Sequence, residues 1–502
     1  MVDGLPARDR RSRVRDATTT PATADDDAAV DYSNLPPDIV ADIHARLTHL
    51  DRLTVAAVFG AAGHSMNPEA PWLAIPGGET APAPPTKLYS ISDRRAAAAR
   101  AGEAAMRGCF FLGGSSDGGW LVTADKRSRL RMVNPVTGAH RALPAITTCP
   151  FFYTTSWAGR GSHVNLTAGP FMRVRHGGGP PPPPPPPEQL IGASLYTVTA
   201  GQVRQYVYRK VVLSAAARPG SYAAMLVLSP DLGAPMFATS DDPAWRVAPS
   251  RDGVEDAIHH RGRFYSVTYT GVVEEWDRRG GGGGGFTSRT VATAPLKPDD
   301  LKNRKYIAAA PDGKLMVVVK FFKDIKYQTR GRDGYLRRTH TVTDMRVLFK
   351  LLVLDDEESG RWRKKEEEVG DAAAAAALFV GVNASMCVAA TSGGDLAGGC
   401  IYFTDDDVAR GRPFDKSKDD DHWRYREDDR EIVAGVYSLE KHRAHKMPVL
   451  DRRNGNADAD DSGGGGDDDG EDDGEDDDDD EVKIWPPPVW FKPCTSAASS
   501  SS

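Results

Sequence analysis

The sequence predicts a mainly β protein, a β-propeller of six or seven blades that follows a small α-helical unit. Short apolar runs rich in β-branched and aromatic residues recur from about residue 87 to the C-terminus, and Gly, Pro, Asn or Asp residues separate them. No long stretch with helical periodicity interrupts these runs. Helical spacing is found near the N-terminus, in residues 33–66, so two different structural units are expected.

The predicted strands form hairpins with clear turn signals. In the first hairpin, residues 119–123 lead through a charged turn to residues 130–133, and the NPVTG turn at 134–138 follows. The same pattern returns at 210–213, 222–228, 263–268, 271–273, 314–322, 346–354, 400–403 and 435–439. We expect these runs to pair as antiparallel strands.

A propeller is the architecture that suits so many short strands. Strands spread over residues 87–450 must hide their edges, and radial repetition of small sheets does so. Propeller repeats use about 40–50 residues per blade, which gives six or seven blades once inserted loops are discounted. A tandem of two-sheet sandwiches stays open as an alternative, because strand patterns do not reveal closure.

The helical unit carries one apolar stripe. Pro36 suits a first helical turn, and Ile39, Ile43 and Leu47 recur every four residues. About 30 residues cannot close a core of their own, so the stripe must pack on the following domain or on a partner. Both possibilities stay open from the residues alone.

This stretch resembles the F-box of plant F-box proteins. The similarity lies in residues 35–53, LPPDIVADIHARLTHLDRL, in Val58, and in the Pro-Trp-Leu that follows at 71–73. In that family the motif binds the Skp1 subunit of a cullin ubiquitin ligase. The resemblance implies these Skp1-binding residues: Leu35, Pro36, Ile39, Val40, Ile43, Leu47 and Leu53. The family usually has a Trp shortly after Val58, and residues 58–63, VFGAAG, lack it.

The remainder resembles a second plant family, the domain of unknown function 295. The matching segments are GCFFLGGSSDGGWLVT (108–123), NPVTG (134–138), YRKVVLS (208–214), DAIHHRGRFYSVTYTGVVEEWD (256–277), LFVGVNAS (378–385), IYFTDDD (401–407), AGVYSL (434–439) and WPPPVWFKP (485–493). That domain is a kelch-like β-propeller, commonly fused behind an F-box. The resemblance implies an adaptor that selects substrates for ubiquitination, and it supplies no catalytic residue. The alternative is a propeller interaction module whose degenerate F-box serves no ligase.

Charge and composition divide the chain further. Residues 458–481 hold 16 acidic side chains and no basic ones, and removing them from the formal net charge of −7 leaves +9. We predict a disordered basic arm at 1–32, the helical unit at 33–66, a Pro-rich linker at 67–86 and the propeller at 87–450. A disordered acidic insert at 451–481, a last propeller segment at 482–493 and a disordered tail at 494–502 complete the chain.

Low-complexity runs are interpreted as insertions in surface loops. They are the prolines of 180–187, the glycines of 280–285, and the alanine runs at 96–99 and 372–377. Five scattered cysteines with no CxxC spacing, no signal peptide and no long apolar span predict a protein of the nucleus or cytoplasm that binds no membrane. Arginines in the basic arm, without a recognition helix or zinc module, do not favour nucleic acid as a partner.

Motifs for catalysis or metal binding are weak. Gly114–Gly118 fits GxSxG, but a strand follows Ser116 where a nucleophile elbow needs a helix, so a turn is predicted. His259 and His260, with Asp256 nearby, lack a third metal ligand by spacing, and we expect a turn packed beside Phe264. The sequence therefore predicts no enzyme, no catalytic, cofactor or metal site, and no cofactor.

Aromatic residues at repeated strand positions are expected to pack inside or between blades. They are Trp120, Trp245, Trp276, Trp362, Tyr402 and Tyr437. Capture of a target protein is assigned instead to loops on one propeller face, because loops on a rigid scaffold commonly carry recognition.

Overall fold

The computed structural model describes a β-rich domain and a few positions of the N-terminal unit. The described residues are 36, 39, 42, 43, 46–48, 51, 70–77, 84–99, 102–116, 118–149, 152–157, 160–167, 194–199, 201, 203–215, 217–229, 233–250, 252–278, 285–329, 340–357, 359–364, 376–390, 396–404, 434–447 and 488–493.

Strands dominate these ranges. In chain order they are β1 (Trp72–Ile75), β2 (Lys87–Ser90), β3 (Arg95–Ala98), β4 (Phe110–Gly114), β5 (Leu121–Ala124), β6 (Leu130–Val133), β7 (His140–Ala142), β8 (Phe152–Trp157), β9 (Arg160–Thr167), β10 (Ser194–Thr199), β11 (Tyr208–Leu213), β12 (Ala223–Leu228), β13 (Met236–Thr239), β14 (Arg246–Val247), β15 (Val254–His260), β16 (Arg263–Thr268), β17 (Val272–Arg278), β18 (Phe286–Thr293), β19 (Arg304–Ala309), β20 (Leu315–Thr329), β21 (His340–Asp356), β22 (Arg361–Lys364), β23 (Ala376–Val380), β24 (Ser385–Ala389), β25 (Cys400–Thr404), β26 (Ala434–Ser438), β27 (Arg443–Lys446) and β28 (Val489–Phe491). Short helical turns are α1 (Glu103–Met106), two 3₁₀ turns (Ile146–Thr148 and Pro298–Lys302) and a π-helical turn (Val203–Val207).

Within the described ranges the strands form six blades around one axis. From the inner strand outward, blade 1 is β28-β1-β2-β3, blade 2 is β4 to β7, blade 3 is β11 to β14, blade 4 is β15 to β18, blade 5 is β19 to β22, and blade 6 is β24-β23-β25-β26-β27. A three-stranded sheet, β10-β9-β8, is inserted between blades 2 and 3. The predicted mainly β propeller is confirmed.

The last strand of the chain closes the ring. Strand β28 pairs antiparallel with β1, and Trp490 lies opposite Leu73. The side chain of Asn383, in blade 6, donates its amide to the carbonyl oxygen of Trp490 at 2.7 Å and accepts from the N–H of Trp490 at 3.2 Å. Because this contact joins blade 6 to blade 1, the two ends of the propeller hold each other without a covalent link.

The apolar core lies between neighbouring blades. Phe237 of blade 3 packs on Trp276 of blade 4 with ring centroids 5.4 Å apart, and Phe349 of blade 5 packs on Tyr437 of blade 6 at 5.2 Å. Strands that are covered on both faces need apolar residues at nearly every position, which explains runs such as AAMLVL in β12. Burial of these faces is the main stabilising term.

Predicted strands match the observed ones well, and three interpretations are wrong. Residues 130–133 and 263–268 are strands β6 and β16 with the predicted bounds. The alanines at 96–98 belong to β3 rather than to an inserted loop, and Ala376 and Ala377 begin β23. Strand β1 lies inside the predicted linker, with Trp72 only 1% exposed. Pairing with neighbouring strands outweighs the low β-propensity of alanine in β3 and β23, whereas β1 is a strand because β2 and β28 pair with it on both sides.

Several predicted segments lie outside the described residues. They are the arm at 1–32, the proline run at 180–187, the glycines at 280–284, alanines 372–375, the acidic insert at 451–481 and the tail at 494–502. None of the helices in the part of the chain that the structure describes has the length and apolar character to cross a membrane.

Blades 2 and 3 join at their inner strands. Strand β11 pairs in parallel with β4, with Val211 opposite Gly113, and this pairing merges the two blades into one eight-stranded sheet. A Cβ on Gly113 would collide with the carbonyl oxygen of Val211. Glycine is therefore required at this position, because β4 and β11 approach too closely for any side chain.

We expect Gly113→Ala to destabilise the propeller by about 2–4 kcal/mol, because β4 and β11 must separate to admit the methyl group. Chemical denaturation measures the loss. Gly220→Ala is the matched control, since a Cβ there meets no atom within 4 Å and its effect should stay within about 0.5 kcal/mol. Equal losses at the two positions would contradict the proposed close approach.

Candidate functional site

The inner strands carry a buried polar cluster at the propeller axis. Asp256 of β15 accepts at Oδ1 from the ammonium of Lys210, in β11, at 2.7 Å. Its Oδ2 accepts from the hydroxyl of Ser385, in β24, at 2.6 Å and from the backbone N–H of Ile307, in β19, at 2.9 Å. Lys210 Nζ also donates to Ser385 Oγ at 3.3 Å. One carboxylate therefore joins blades 3, 4, 5 and 6.

A second ionic cluster lies beside the first. Glu255 Oε2 is 2.9 Å from Lys305 Nζ, and Glu255 Oε1 accepts from the Lys305 backbone N–H at 3.1 Å. The guanidinium of Arg304 donates to the Glu255 carbonyl oxygen at 2.7 Å and lies 4.0 Å from Asp256. The register of β15 on β16 shifts between Val254 and Asp256, a bulge that directs two consecutive carboxylates into the blade 4–5 junction.

Burial sets the electrostatics of both clusters. The side chains of Lys210, Asp256 and Lys305 are 2%, 0% and 0% exposed. Burial lowers the pKa of Lys210, the ion pair with Asp256 opposes that shift, and Arg304 adds to it. With Glu255 and Arg304, which are 5% and 9% exposed, the clusters hold three cations and two carboxylates. Each of the three basic side chains therefore lies within ion-pair distance of a buried carboxylate.

A cavity opens at the end of the axis next to this cluster. It is open to solvent and has a volume of about 30 Å³, room for two or three water molecules, and blades 1, 2, 3, 4 and 6 line it. The residues that line it are Gly114, Ser115, Ser116, Trp120, Lys210, Val212, Ala257, Ile258, His259, Asn383, Ala384, Ser385, Met386 and Trp490. This convergence of polar side chains on one concavity makes it the candidate functional site.

The GxSxG segment forms one wall of the cavity as a hairpin turn. Strand β4 ends at Gly114 and β5 begins at Leu121. Ser115 Oγ accepts from the N–H groups of Gly118 at 3.0 Å and Trp120 at 3.3 Å, which stabilises the turn. The predicted turn is confirmed, and neither Ser115 nor Ser116 sits in a strand-to-helix elbow.

The histidine pair lies at the end of a strand rather than in a turn. His259 and His260 are the last residues of β15, and the turn follows at Arg261. The expected contact with Phe264 is present, with ring centroids 5.0 Å apart. His259 Nδ1 accepts from the N–H of Ala215 at 3.1 Å, which places the proton of a neutral ring on Nε2. The described residues contain no group of three His, Cys, Asp or Glu suited to a metal ion.

A family model matches residues 88–438, about seven-tenths of the chain, and its description is the KIB1-4 beta-propeller. The chain belongs to this family. The match agrees with the propeller fold, and the residues of the axial cluster lie within the matched range. It does not extend to the F-box-like residues before position 88, which stay a prediction, as does the resemblance to domain of unknown function 295.

Solved propellers share only a distant likeness with this chain. One is the Cps50 (Swd1) β-propeller domain from Myceliophteria thermophila, with 8% identity over 54% of this chain and 88% of that chain, at a TM-score of 0.24. Another is YCF48 bound to D1 peptide, with 12% identity over 61% and 86% of the two chains, at a TM-score of 0.21. No curated protein matches the chain.

The aromatic residues of the KIB1-4 propeller fulfil the predicted packing role. Trp120, Trp245, Trp276, Tyr402 and Tyr437 are each at most 6% exposed. Trp362 is half-buried and packs against the cluster between blades 4 and 5. Two of them also donate hydrogen bonds, Trp245 to the Pro144 carbonyl and Trp276 to the Ser266 hydroxyl.

Sequence reasoning missed the axial cluster. The sequence places Lys210 in a predicted strand and a family-like segment, Ser385 in another such segment, and Asp256 in a third beside the two histidines, and it gives none of them a role at the axis. One signal was available, because Lys210 directly precedes Val211-Val212-Leu213 and Asp256 directly precedes Ala257-Ile258, and a buried strand usually has no charge. Their partners lie 46 and 129 residues apart along the chain, so spacing could not pair them.

The helical unit is described at eight positions. Ile39 and Ile43 are 46% and 39% exposed, Pro36 is exposed, and Leu47 is half-buried. The exposed pair Asp42–Arg46, 2.9 Å apart, has the spacing of one helical turn. Leu35, Val40 and Leu53 lie outside the described residues.

We expect Asp256→Asn to lower the free energy of unfolding by about 3–5 kcal/mol, because Lys210 then stays buried without a counter-charge. Ser385→Ala should cost about 1–2 kcal/mol, the price of one buried hydrogen-bond partner. Urea denaturation at neutral pH measures both.

The control for Asp256 is Asp242→Asn, which breaks an exposed pair with Arg246. That change should cost at most about 1 kcal/mol. A similar loss for the two aspartates would show that burial of the axial pair has no special weight.

Glu274 is a buried carboxylate of blade 4 held by hydroxyl groups. Ser250 Oγ and Ser266 Oγ donate to its Oε2 at 3.1 Å and 3.3 Å. Burial raises the pKa of Glu274 to about 7, the serine hydrogen bonds oppose that rise, and Asp252 adds to it. The protonated form is therefore favoured in the fold up to neutral pH.

The deprotonation of Glu274 should lower the stability of the propeller as pH rises from 4.5 to 7. As pH rises, Glu274 loses its proton at a lower pH in the unfolded chain than in the folded protein. The stabilisation that protonated Glu274 contributes is therefore complete below the pKa of the unfolded chain and is lost as pH rises through the pKa of the folded protein. Between pH 4 and pH 8, we expect the free energy of unfolding of Glu274→Gln to rise by about 3 kcal/mol relative to that of wild type. Thermal or urea unfolding across that range measures the difference.

Glu275→Gln should change the pH dependence of stability in the opposite direction. Burial alone would raise the pKa of Glu275, but hydrogen bonds from Arg289, Arg263 and Tyr265 lower it. Its contribution is present at neutral pH and lost on acidification, so the Gln variant should be less stable than wild type at pH 7 and approach it at low pH. Parallel pH profiles for the two variants would refute the assignment.

Proposed function

We propose that this chain is a substrate-recognition adaptor of an SCF-type (Skp1-cullin-F-box) ubiquitin ligase, acting in the nucleus or cytoplasm. The F-box-like unit docks on a Skp1-like protein, and the propeller captures the protein to be modified. The adaptor itself carries out no chemical step in this proposal.

The exposure of Ile39 and Ile43 is the observation that supports docking. Side chains of this kind are usually covered, and two of them one turn apart form an apolar patch that a partner can bury. If the unit packed on its own propeller, both would be buried. Their exposure favours binding to a partner over the alternative of a degenerate F-box that serves no ligase.

Rigidity of the propeller supports the second half of the proposal. The axial ion pairs and the Asn383 closure fix six blades relative to one another, so loops at the faces are held in defined positions. Recognition by loops requires such a scaffold. Membership of the KIB1-4 propeller family agrees with an interaction role and adds no catalytic group.

We expect Ile39→Asp/Ile43→Asp to weaken Skp1 binding by about 100-fold or more, since two apolar anchors are lost from an interface. Binding is measured with purified full-length protein and a plant Skp1 by calorimetry. The matched control is Ile39→Leu/Ile43→Leu, which keeps the patch apolar and should keep most of the affinity.

The melting temperature distinguishes an apolar stripe that docks on a partner from one that packs on the propeller. The Asp variant should melt like wild type, because the two side chains are exposed. A lower melting temperature with no change in partner binding would instead support the alternative of a degenerate F-box that packs on its own propeller. Absence of Skp1 binding by wild-type protein at micromolar concentration would exclude the ligase role.

A further inference from the structure

Strands β20 and β21 form a two-stranded ribbon that extends beyond the rest of blade 5. They have 15 and 17 residues and pair with each other up to Thr329. Strand β19 reaches β20 only as far as Lys320, and β22 reaches β21 only as far back as Leu352. The ribbon is therefore residues 321–329 and 340–348, and it is about 30 Å long. None of the strands that the structure describes pairs with its two outer edges.

The ribbon is basic. Residues 320–350, which include it and the residues that join its strands, contain nine Lys or Arg residues and three Asp residues, a net charge of +6. Lys323 and Arg346 lie opposite each other in the β20–β21 register, and both side chains are exposed. Like charges at such positions repel, so a bound polyanion would relieve the repulsion. A second copy of the ribbon carries the same charge, which disfavours pairing between two open edges.

The same chain carries a polyanion of the required kind. The acidic segment, residues 458–481, holds 16 Asp or Glu residues and no Lys or Arg. It lies between β27, which ends at Lys446, and β28, which begins at Val489. The other insert of blade 6, residues 405–433, mixes seven basic with eleven acidic residues, so its net charge is only −4. The acidic segment is therefore the stronger electrostatic partner for the ribbon.

The chain that leads to the acidic segment starts at the base of the ribbon. Lys320 Nζ lies 5.7 Å from the ring centroids of both Phe322, in the ribbon, and Phe403, in β25. Phe403 pairs with Gly435 of β26, and Gly435 pairs with Lys446, the last residue of β27. Two steps between neighbouring strands place Lys446 about 10 Å from Phe403. Strand β27 also packs on β21, so both elements lie at the same end of blades 5 and 6.

Chain length favours contact within one molecule. Eleven residues separate Lys446 from Asp458, and an extended chain of that length spans up to about 40 Å, which exceeds the length of the ribbon. A segment on so short a tether is present at an effective concentration on the order of millimolar. A separate polyanion at lower concentration would have to displace it.

We propose that the acidic segment binds the basic ribbon of its own chain. Its carboxylates lie along the ribbon and neutralise the Lys and Arg side chains there, Lys323 and Arg346 among them. The contact is electrostatic, so added salt weakens it. It needs neither Skp1 nor a captured target, and it holds whether or not the chain is a ligase adaptor.

Hydrogen–deuterium exchange of the full-length protein tests this contact. The comparison is a neutralised protein, which carries Asp→Asn and Glu→Gln at all 16 acidic positions of the segment. We expect the ribbon amides to exchange at least about threefold faster in the neutralised protein at low salt, and equally in both proteins at high salt. The β5–β6 hairpin should exchange alike in the two proteins. Equal exchange of the ribbon, or an equal change in the β5–β6 hairpin, would overturn the proposal.

Charge reversal on the ribbon gives a second comparison. Lys323→Glu/Arg346→Glu keeps like charges opposite each other, so it removes the attraction for the acidic segment and leaves the repulsion between the strands. Ribbon amides of this variant should exchange as fast as those of the neutralised protein. The matched control is Arg127→Glu/Arg218→Glu, which reverses two exposed arginines of blades 2 and 3 with the same change in net charge. The control should exchange like wild type, and a ribbon still protected after reversal of Lys323 and Arg346 would contradict the assigned site.

An added polyanion tests whether the ribbon is occupied. The probe is a labelled oligothymidine of about 20 nucleotides, whose binding is followed by fluorescence anisotropy. We expect the neutralised protein to bind it at least about tenfold more tightly than wild type, because the acidic segment of wild type competes. Adding Lys323→Glu/Arg346→Glu to the neutralised protein should remove that gain, and adding Arg127→Glu/Arg218→Glu should keep most of it. Equal affinities of wild type and neutralised protein would overturn the proposal and assign the ribbon to nucleic acid.

Light scattering distinguishes a contact within one molecule from a contact between two. Wild-type protein should be a monomer in the low-salt exchange buffer. A dimer that dissociates when the segment is neutralised would show that the acidic segment binds the ribbon of a second copy, and it would overturn the intramolecular contact.

Discussion

The contact between Asp256 and its three donors is the constraint on which the propeller depends. Apart from blades 2 and 3, which share one sheet, the blades are separate sheets. Apolar packing between blades is non-directional, so it does not fix how far each blade tilts. A carboxylate that accepts from Lys210, Ser385 and Ile307 at once tolerates little change in those positions. Four blades therefore share one geometric reference at the axis. The remaining two are tied in by the β4–β11 pairing and by the Asn383 contact with Trp490.

The Lys210–Asp256 ion pair loses hydration when it is buried, and the surrounding residues offset that loss. An isolated ion pair in an apolar interior gains less from attraction than it loses in hydration. Here the pair is extended by a serine hydroxyl, a backbone N–H and the neighbouring Glu255–Lys305 pair, so most lone pairs and protons have partners. Truncation of Lys210 or Asp256 leaves the other charge without its closest partner. The cluster thus specifies the arrangement of the blades more than it adds to their stability.

The strand content was predictable because each strand obeys a local rule, whereas the axial site was not. Residues 263–268 alternate and end in turn residues, and the structure reproduces their bounds. The alanine run at 96–98 offers no such pattern, and it becomes a strand only because β2 lies beside it. Lys210, Asp256 and Ser385 meet across 46 and 129 residues of intervening chain, and a side-chain pairing of that range leaves no periodicity to read. Family resemblance found the propeller but assigned no role to these three residues.

The packing at the axis also determines which residues lie beside the cavity. Inner strands converge at the axis, and residues there must be either small or paired, as the glycines at 113 and 114 and the ion pairs illustrate. Ser385 begins β24, and Met386 beside it lines the cavity together with Trp490. The ammonium of Lys210 is only 2% exposed, so solvent in the cavity does little to offset its burial. The hydrogen bonds to Asp256 and Ser385 take over that role, which is why the lysine and its two partners must lie together on three different inner strands.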